Sequence, residues 1–358
     1  MEKIRNDALG SGTMQEIMSQ TKAWSGSLQD FKSSGTLRTI LEKTSSRTEW
    51  LFVGCGTSFY LAEAVAASWK TLTGQSARAV AASEILLFPT LTLPLKTNLQ
   101  AVVISRSGST SEAVRAAALL RNEHHVPTLG LTCTPNSPLE SACELTIRIS
   151  AADETSMVMT RSFTSMLLVM QYLAALKSGA KDFCAALESL AEQFAPSLPS
   201  IAEKLQAFTA KHSFEDYIFL GQGPFQGIVR EAALKVTEMS CSYSQSFHTL
   251  EFRHGPKSIV GPATCLVFFL SEQGKAAECE VLVEMKKLGG VVLAVCNRAS
   301  ETIRASSDLV FELGLKVPEL GTLAPFVVPA QLLGCYAGIK KGLNPDAPKN
   351  LTRVVMLD

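Results

Sequence analysis

Short apolar runs alternate with longer amphipathic stretches along most of the chain. In the first half, the runs Trp50–Val53, Ala101–Ile104 and Thr128–Thr132 have the length and composition of buried strands. Helical stretches follow the first run, from about Ser58 to Leu72, and the second run, from near Ser111. Strands that alternate with helices are typical of a parallel sheet covered on both faces, so the pattern predicts an α/β fold.

The second half of the chain repeats the order of the first. Three further apolar runs occupy the corresponding places, at Tyr217–Leu220, Cys265–Leu270 and Val291–Val295. The turn Gly54-Cys55-Gly56 recurs 167 residues later as Gly221-Gln222-Gly223, and Ser105 recurs 166 residues later as Ser271. Landmarks that agree so closely indicate an internal duplication. We therefore expect two tandem, doubly wound domains, each with a parallel sheet.

The predicted domain limits follow from this repeat. Residues 1–43 form an N-terminal helical segment, 44–200 the first domain, 201–340 the second domain, and 341–358 a C-terminal tail. The linker between the domains is expected around 195–213, where Pro196 and Pro199 interrupt the helical pattern. The tail is expected to end in a short strand-like run at 354–357.

Composition and charge exclude several classes of partner. The chain has 358 residues, of which 46% are hydrophobic, and its 33 basic side chains equal its 33 acidic ones. This balance argues against a nucleic-acid surface and against an electrostatic membrane anchor. The longest apolar run, 321–339, contains Pro325, Pro329 and Gln331, which favours a buried helix over a membrane span.

The nine cysteines include no CxxC pair, so the spacing of a zinc or redox site is missing. Their odd number, and an N-terminus that does not read as a signal peptide, predict a reducing, cytoplasmic location.

A hydroxyl-rich turn is the first candidate site. The segment Ser105–Thr110 follows a predicted strand, opens a helix and carries four hydroxyl groups in six residues. Helix N-termini at the carboxyl ends of parallel strands favour anions, and Gly108 lets the backbone approach a ligand closely. Arg106 adds a positive charge. Plain helix capping accounts for one or two of these hydroxyls, whereas a phosphate site accounts for all four. The matching turn Ser271–Gly274 has lost most of them, which predicts one site per chain.

The first glycine turn is not a dinucleotide fingerprint. Phe59 stands where the third glycine belongs, and the acidic residue expected about 20 residues further on, after a second strand, is missing. Thr57 and Ser58 are expected to direct their hydroxyls toward the same sugar phosphate.

Acidic and basic side chains share one face of the predicted helix Val229–Ser240. Glu231, Lys235 and Glu238 are spaced by four and three residues. A solvated charged face has the same spacing, but the rest of this helix is apolar, and buried charges need partners or a catalytic role. His254, before a Gly-Pro pair, is a second acid–base candidate, although a structural role fits that histidine equally well.

Together these motifs resemble the sugar isomerase (SIS) domain family, in particular the isomerase half of glutamine–fructose-6-phosphate aminotransferase (glucosamine-6-phosphate synthase). The resemblance covers nearly the whole chain, from Met14–Ile17 and Gln20, through the motifs above, to Leu323-Ala324-Pro325 and the segment from Asn344-Pro345 to Arg353. It implies two flavodoxin-like domains and a homodimer with shared active sites.

The resemblance also implies roles for the candidate residues. Ser105, Ser107 and Thr110 would hold the phosphate of a sugar, with Thr57 and Ser58 nearby. On the acid–base helix, Glu238 would move the proton between C1 and C2, and Lys235 would support the sugar hydroxyls or the enediol. His254, supplied by the neighbouring chain, would open the sugar ring. The family chemistry implies no metal and no cofactor.

Two departures from the synthase pattern shape the predicted function. No glutaminase half is expected here, and Arg353 occupies the position of the family's Schiff-base lysine, where it would contact substrate without forming an imine. The stretch Met159–Thr164 instead resembles the branch of tagatose-6-phosphate ketose/aldose isomerase and amino-sugar-phosphate deaminases. We therefore expect an isomerase or isomerising deaminase of a hexose or hexosamine 6-phosphate. An aminotransferase-like protein fed ammonia by a separate glutaminase, and a non-catalytic phosphosugar sensor, remain alternatives.

Overall fold

The computed structural model describes residues 9–93 and 98–355. Within these ranges the strands are β1 (Glu49–Gly54), β2 (Ser76–Ala81), β3 (Leu99–Ile104), β4 (Thr128–Thr132), β5 (Leu145–Arg148), β6 (Asp216–Gly221), β7 (Tyr243–Phe247), β8 (Thr264–Phe269), β9 (Val291–Cys296) and β10 (Leu309–Glu312). The helices are α1 (Ser11–Met18), α2 (Gln20–Ser33), α3 (Thr36–Lys43), α4 (Thr57–Thr73), α5 (Ala82–Leu87), α6 (Pro89–Thr92), α7 (Ser111–Asn122), α8 (Pro138–Ala142), α9 (Arg161–Ser178), α10 (Lys181–Phe194), α11 (Leu198–Lys211), α12 (Gln226–Ser240), α13 (Lys275–Lys287), α14 (Glu301–Ala305) and α15 (Leu323–Lys340).

The strands form two parallel sheets with the same topology. The first sheet has the order β2-β1-β3-β4-β5, and the second, read from its other edge, has the order β7-β6-β8-β9-β10. This is the flavodoxin-like order of a doubly wound sheet. The predicted fold class, two tandem α/β domains related by duplication, is confirmed.

The outer strands β2, β5, β7 and β10 were not predicted. They are short or polar, and most of their residues are only half-buried. An edge strand packs fewer neighbours than a central one, so it lacks the continuous apolar run that identifies a buried parallel strand.

The predicted linker region around 195–213 contains a short 3-10 turn and α11. In the predicted N-terminal segment, residues 1–8 lie outside the described residues, and so do residues 356–358 of the predicted strand-like tail.

The core lies mainly between the two sheets. One large apolar cluster joins their facing sides to helices α4, α9, α12 and α15. Two smaller clusters cover the outer faces, the first beneath α5 and α7 and the second beneath α13. The two halves therefore share one core, which fixes the position of each sheet relative to the other.

Glycines allow three of these helices to approach closely. A Cβ atom on Gly334 of α15 would lie 2.9 Å from the carbonyl oxygen of Lys235 in α12, and one on Gly338 would clash with the carbonyl oxygen of Met239. On α12 itself, a Cβ atom on Gly227 would lie 2.7 Å from the carbonyl oxygen of Tyr60 in α4. Helix α12 of the second half is thereby held against both α15 and α4.

The long apolar run predicted as a buried helix is α15. Among the described residues, the stretch Glu319–Lys340 is long and apolar enough to cross a membrane, but 89% of its most apolar window is buried inside the protein. The prediction of a core helix is confirmed.

The contact between α12 and α15 yields a stability prediction. Gly338→Ala should lower the free energy of unfolding by about 1–3 kcal/mol, because the added methyl group overpacks the contact with Met239. Gly35→Ala is the control, since Gly35 has open space at its Cβ position and a φ of −61°; it should change stability by less than about 0.5 kcal/mol. Urea unfolding followed by circular dichroism measures both. Equal urea midpoints for wild type and Gly338→Ala would contradict the close packing of α12 on α15.

Candidate functional site

A pocket of about 210 Å³ opens at the carboxyl ends of β1 and β3. Four separate segments of the chain line it: the start of α4, the turn before α7, the loop before α9, and the C-terminal tail. Glu238 on α12 completes the lining. Of the predicted site residues, the pocket brings together Thr57, Ser58, Ser105, Arg106, Ser107, Thr110, Glu238 and Arg353.

Helix α12 carries its charged face across the boundary between the halves. The Lys235 ammonium group donates a hydrogen bond to Thr57 Oγ1 at 3.0 Å and contacts the Glu238 carboxylate in a close ion pair. Lys235 is almost fully buried, whereas the Glu238 side chain is 18% exposed. Lys235 therefore lies behind Glu238 and does not line the pocket, whereas Glu238 faces it.

Glu231 joins this cluster as a second carboxylate. Its Oε1 lies 3.4 Å from Lys235 Nζ, and the side chain is fully buried. Burial raises the pKa of Glu231 to about 8, and the charge of Lys235 only partly opposes this. Burial alone would lower the pKa of Lys235, but the carboxylates of Glu231 and Glu238 outweigh it and raise that pKa. Burial therefore favours the protonated form of Glu231, and the two carboxylates favour the charged form of Lys235.

Hydrogen bonds within the turn Ser105–Thr110 fix its backbone conformation. Ser105 Oγ accepts the N–H of Gly108 at 3.1 Å, and Gly108 adopts a left-handed φ of 62°. A side chain on Gly108 would also collide with Ser137. Thr110 occupies the N-cap position of α7, but its side chain makes no capping hydrogen bond. Simple capping therefore does not account for Thr110, and its hydroxyl lines the pocket instead.

The tail reaches the same turn. The carbonyl oxygen of Val355 accepts the N–H of Ser111 at 3.2 Å, and Arg353 donates to the carbonyl oxygen of Glu154 and lies 3.3 Å from the Asp153 carboxylate. Arg353 thereby fixes the tail to the loop before α9, with its guanidinium at the pocket wall.

Arg106 has a different environment from the one its position in the turn suggested. Its guanidinium donates to the carbonyl oxygens of Ser156, Met157 and Val158 at 3.2, 2.8 and 3.1 Å, and lies 3.4 Å from the Glu154 carboxylate. The side chain is only 4% exposed. These contacts connect the turn to the loop before α9 and give Arg106 a structural role. Direct phosphate binding by Arg106 stays a prediction.

His254 does not reach this pocket within one chain. It lies in an exposed turn between two short 3-10 segments, Glu251–Arg253 and Pro256–Ile259, and its backbone N–H donates to the Glu251 carbonyl oxygen. Its predicted role depends on a neighbouring chain and stays a proposal.

Sequence reasoning missed the acidic residues that support the pocket. Glu154 is buried and accepts hydrogen bonds from the Thr160 N–H and hydroxyl, both at 2.7 Å, and from Ser162. Glu16 on α1 accepts the N–H groups of Thr155 and Ser156 at 2.6 and 3.2 Å. A lone glutamate carries no sequence signal for such a role, because its partners are distant in the chain.

Cys55 also lines the pocket. Burial, with a smaller contribution from the charge of Glu112, raises the pKa of Cys55 to about 12. The thiol is therefore protonated at neutral pH, which argues against a nucleophilic thiolate.

The ion pair between Arg106 and Glu154 can be tested by a double-mutant cycle. Glu154→Gln and Arg106→Met should each lower the free energy of unfolding by about 3–5 kcal/mol, because each leaves its partner buried and uncompensated. The double variant should lose less than the sum, since no charge then remains unpaired. Additive losses, or an Arg106→Met variant as stable as wild type, would show that the pair does not brace the turn.

The raised pKa of Glu231 predicts that the stability of the protein depends on pH. The folded pKa of about 8 lies above the usual glutamate value of about 4.3, so the folded state binds the proton more tightly and stability falls as pH rises between these values. Glu231→Gln should remove this contribution: relative to the variant, wild type should lose stability from about pH 5 upward and level off above about pH 8. Urea midpoints at pH 5, 7 and 9 measure the difference, and a constant difference would contradict the raised pKa.

Comparisons with known proteins agree with this architecture. The SIS domain model matches twice, at residues 45–176 and 213–337. D-galactosamine-6-phosphate deaminase of Shewanella sp. (strain ANA-3) is 29% identical over 94% of this chain and 87% of its own length. The structure of tagatose-6-phosphate ketose/aldose isomerase from Escherichia coli superposes with a TM-score of 0.85 at 23% identity, covering 96% of each chain, a likeness that concerns the fold.

The synthase resemblance is also found. Glutamine–fructose-6-phosphate aminotransferase of Methanothermobacter thermautotrophicus is 24% identical over 89% of this chain but only 53% of its own length, so the chain spans about half of that protein. With both repeats matched over most of its residues, the chain belongs to the SIS domain family.

Proposed function

We propose that this chain is an enzyme that isomerises, or isomerises and deaminates, a hexose or hexosamine 6-phosphate by moving a proton between C1 and C2. One observation carries the proposal: the hydroxyl-rich turn of the first half and Glu238 of the second half line the same pocket. A single small ligand can therefore touch both. Separate clefts for these two groups would have excluded this chemistry.

The phosphate binds to the turn at the start of α7. The hydroxyls of Ser105, Ser107 and Thr110 donate to its oxygens, and the helix N-terminus stabilises its charge. The hydroxyls of Thr57 and Ser58, at the start of α4, lie along the sugar. Binding energy from the phosphate, remote from the reacting carbons, positions C1 and C2 at Glu238.

Glu238 acts as the general base and then as the general acid. It takes the proton from C2 of the open-chain aldose and returns it to C1, which converts the aldose into the ketose. Lys235 is bonded to Thr57 and lies behind Glu238, so its positive charge stabilises the enediolate through the electrostatic field and not by direct contact. If C2 carries an amine, the same proton shift leaves an imine at C2, and water then releases ammonia and the ketose.

Arg353 favours deamination or simple isomerisation over amino transfer to the sugar. It lines the pocket at the tail, yet a guanidinium stays protonated and forms no imine with the substrate. The similarity to D-galactosamine-6-phosphate deaminase over nearly the full length of both proteins supports an amino sugar as substrate. Ring opening by His254 from a partner chain, the homodimer and the cytoplasmic location remain predictions.

Glu238→Gln tests the catalytic role directly. The variant should lose C2 proton exchange with solvent by about 10²–10⁴-fold, since the amide cannot accept the proton, while phosphosugar binding changes little. Exchange is followed by NMR in deuterated water, and binding by calorimetry. Glu203→Gln, on the exposed face of α11, is the control and should keep wild-type exchange. Unchanged exchange in Glu238→Gln would rule out this base.

The substrate class can be assigned with a panel of hexose and hexosamine 6-phosphates. Each compound is scored for ammonia release and for exchange between ketose and aldose. Ammonia from an amino sugar supports the deaminase, and exchange without ammonia supports the isomerase. Binding without turnover would identify a phosphosugar sensor instead. Product that forms only with added ammonia would identify a partner-dependent aminotransferase.

A further inference from the structure

The second domain contains a turn built like the phosphate turn of the first. It follows β8 and spans Ser271–Gly274, and Ser271 Oγ accepts the N–H of Gly274 at 2.8 Å. The bond between Ser105 Oγ and the Gly108 N–H in the first domain has the same three-residue separation, at 3.1 Å. The duplication has thus kept the framework of the turn while its sequence lost most of the hydroxyls.

A carboxylate from the same domain fills the second turn. Glu278 Oε2 accepts the backbone N–H of Ser271 at 2.7 Å and its hydroxyl at 3.0 Å. The Glu278 side chain is fully buried, and among the described residues its other oxygen has no hydrogen-bond partner. Burial raises the pKa of Glu278 to about 7, although the two bonds from Ser271 favour its charged form. Such a buried carboxylate is not explained by packing alone.

The starting point of the following helix distinguishes the two turns. In both copies a glutamate follows the serine by seven residues, Glu112 after Ser105 and Glu278 after Ser271. Helix α7 begins only at Ser111, so Glu112 lies in its first turn and is half-exposed, and the Ser105 N–H donates to the Leu131 carbonyl oxygen at 3.0 Å.

Helix α13 begins directly after the second turn, at Lys275, so Glu278 is the fourth residue of its helix, whereas Glu112 is the second residue of α7. From that position its side chain folds back onto Ser271.

Glu278 is held by a backbone N–H and a hydroxyl, two kinds of donor that bind phosphate oxygens in proteins. The backbone N–H and hydroxyl of Ser271, in the turn that leads into the 13-residue helix α13, form a site suited to an anion. We propose that Glu278 is an internal anion that fills the second domain's counterpart of the phosphate site and so limits each chain to one phosphosugar site. The inference rests on the proposed function only for the ligand of the first turn.

Removing the carboxylate should open the second site to inorganic phosphate. Calorimetric titration of the full chain should give one phosphate per chain for wild type and two for Glu278→Ala. Glu278→Gln is the matched control, because the amide keeps the size of the side chain and an oxygen that accepts the Ser271 N–H; it should still bind one. A Glu278→Ala variant that binds no additional phosphate would overturn the proposal.

A measurement on wild type decides the case where Glu278→Ala does not fold. Phosphate should shift the amide NMR signals of Gly108 and Ser109 and leave those of Ser271 and Gly274 unchanged. A shift at Ser271 or Gly274 in wild type would show that phosphate reaches the second turn, and would refute the proposal that Glu278 fills it. If Glu278→Ala gains a phosphate site while the first turn binds no phosphate, the proposed role of Glu278 is supported and the proposed function of the first turn fails.

Discussion

The close contact between α12 and α4 is the constraint on which the candidate site depends. The catalytic candidates belong to the second half of the chain and the hydroxyl-rich turn Ser105–Thr110 to the first, so neither domain alone contains the candidate site. Gly227 lets the two helix backbones meet, and the hydrogen bond from Lys235 to Thr57 fixes their register. The same contact places Glu238 over the carboxyl ends of the first sheet. A side chain at Gly227 would separate the helices and move the carboxylate away from the turn.

A second set of contacts keeps the pocket walls in place. The loop before α9 is bound from three directions, by Glu16 of α1, by Arg106 of the hydroxyl-rich turn and by Arg353 of the tail. Nearly all of these bonds are buried or partly buried, and each joins segments that are distant in sequence. Local rearrangement of the loop would leave several polar groups without partners, which is costly in a buried environment. These contacts preorganise the pocket, which the proposed catalysis requires.

The sequence predicted the parts of this structure that local patterns encode. The six central strands are continuous apolar runs, and the duplication appears as repeated glycine and serine landmarks, so both were found. The edge strands lack such runs and were missed.

The gathering of Thr57, Ser107 and Glu238 in one pocket was expected from the carboxyl-end rule and from the family resemblance. The orientation of Arg106 and the supporting roles of Glu154 and Glu278 were not predicted. They depend on tertiary contacts, or on the exact residue at which a helix begins, and neither leaves a periodic signal.

The central claim is that one ligand spans the two halves, with its phosphate on the turn Ser105–Thr110 and its reacting carbons at Glu238. A crystal structure with a bound hexose 6-phosphate or hexosamine 6-phosphate tests it most directly. The account predicts phosphate oxygens within hydrogen-bond distance of Ser107 and Thr110, and C1 or C2 within about 3–3.5 Å of a Glu238 carboxylate oxygen. A phosphate held elsewhere, or a sugar that extends away from Glu238, would contradict it.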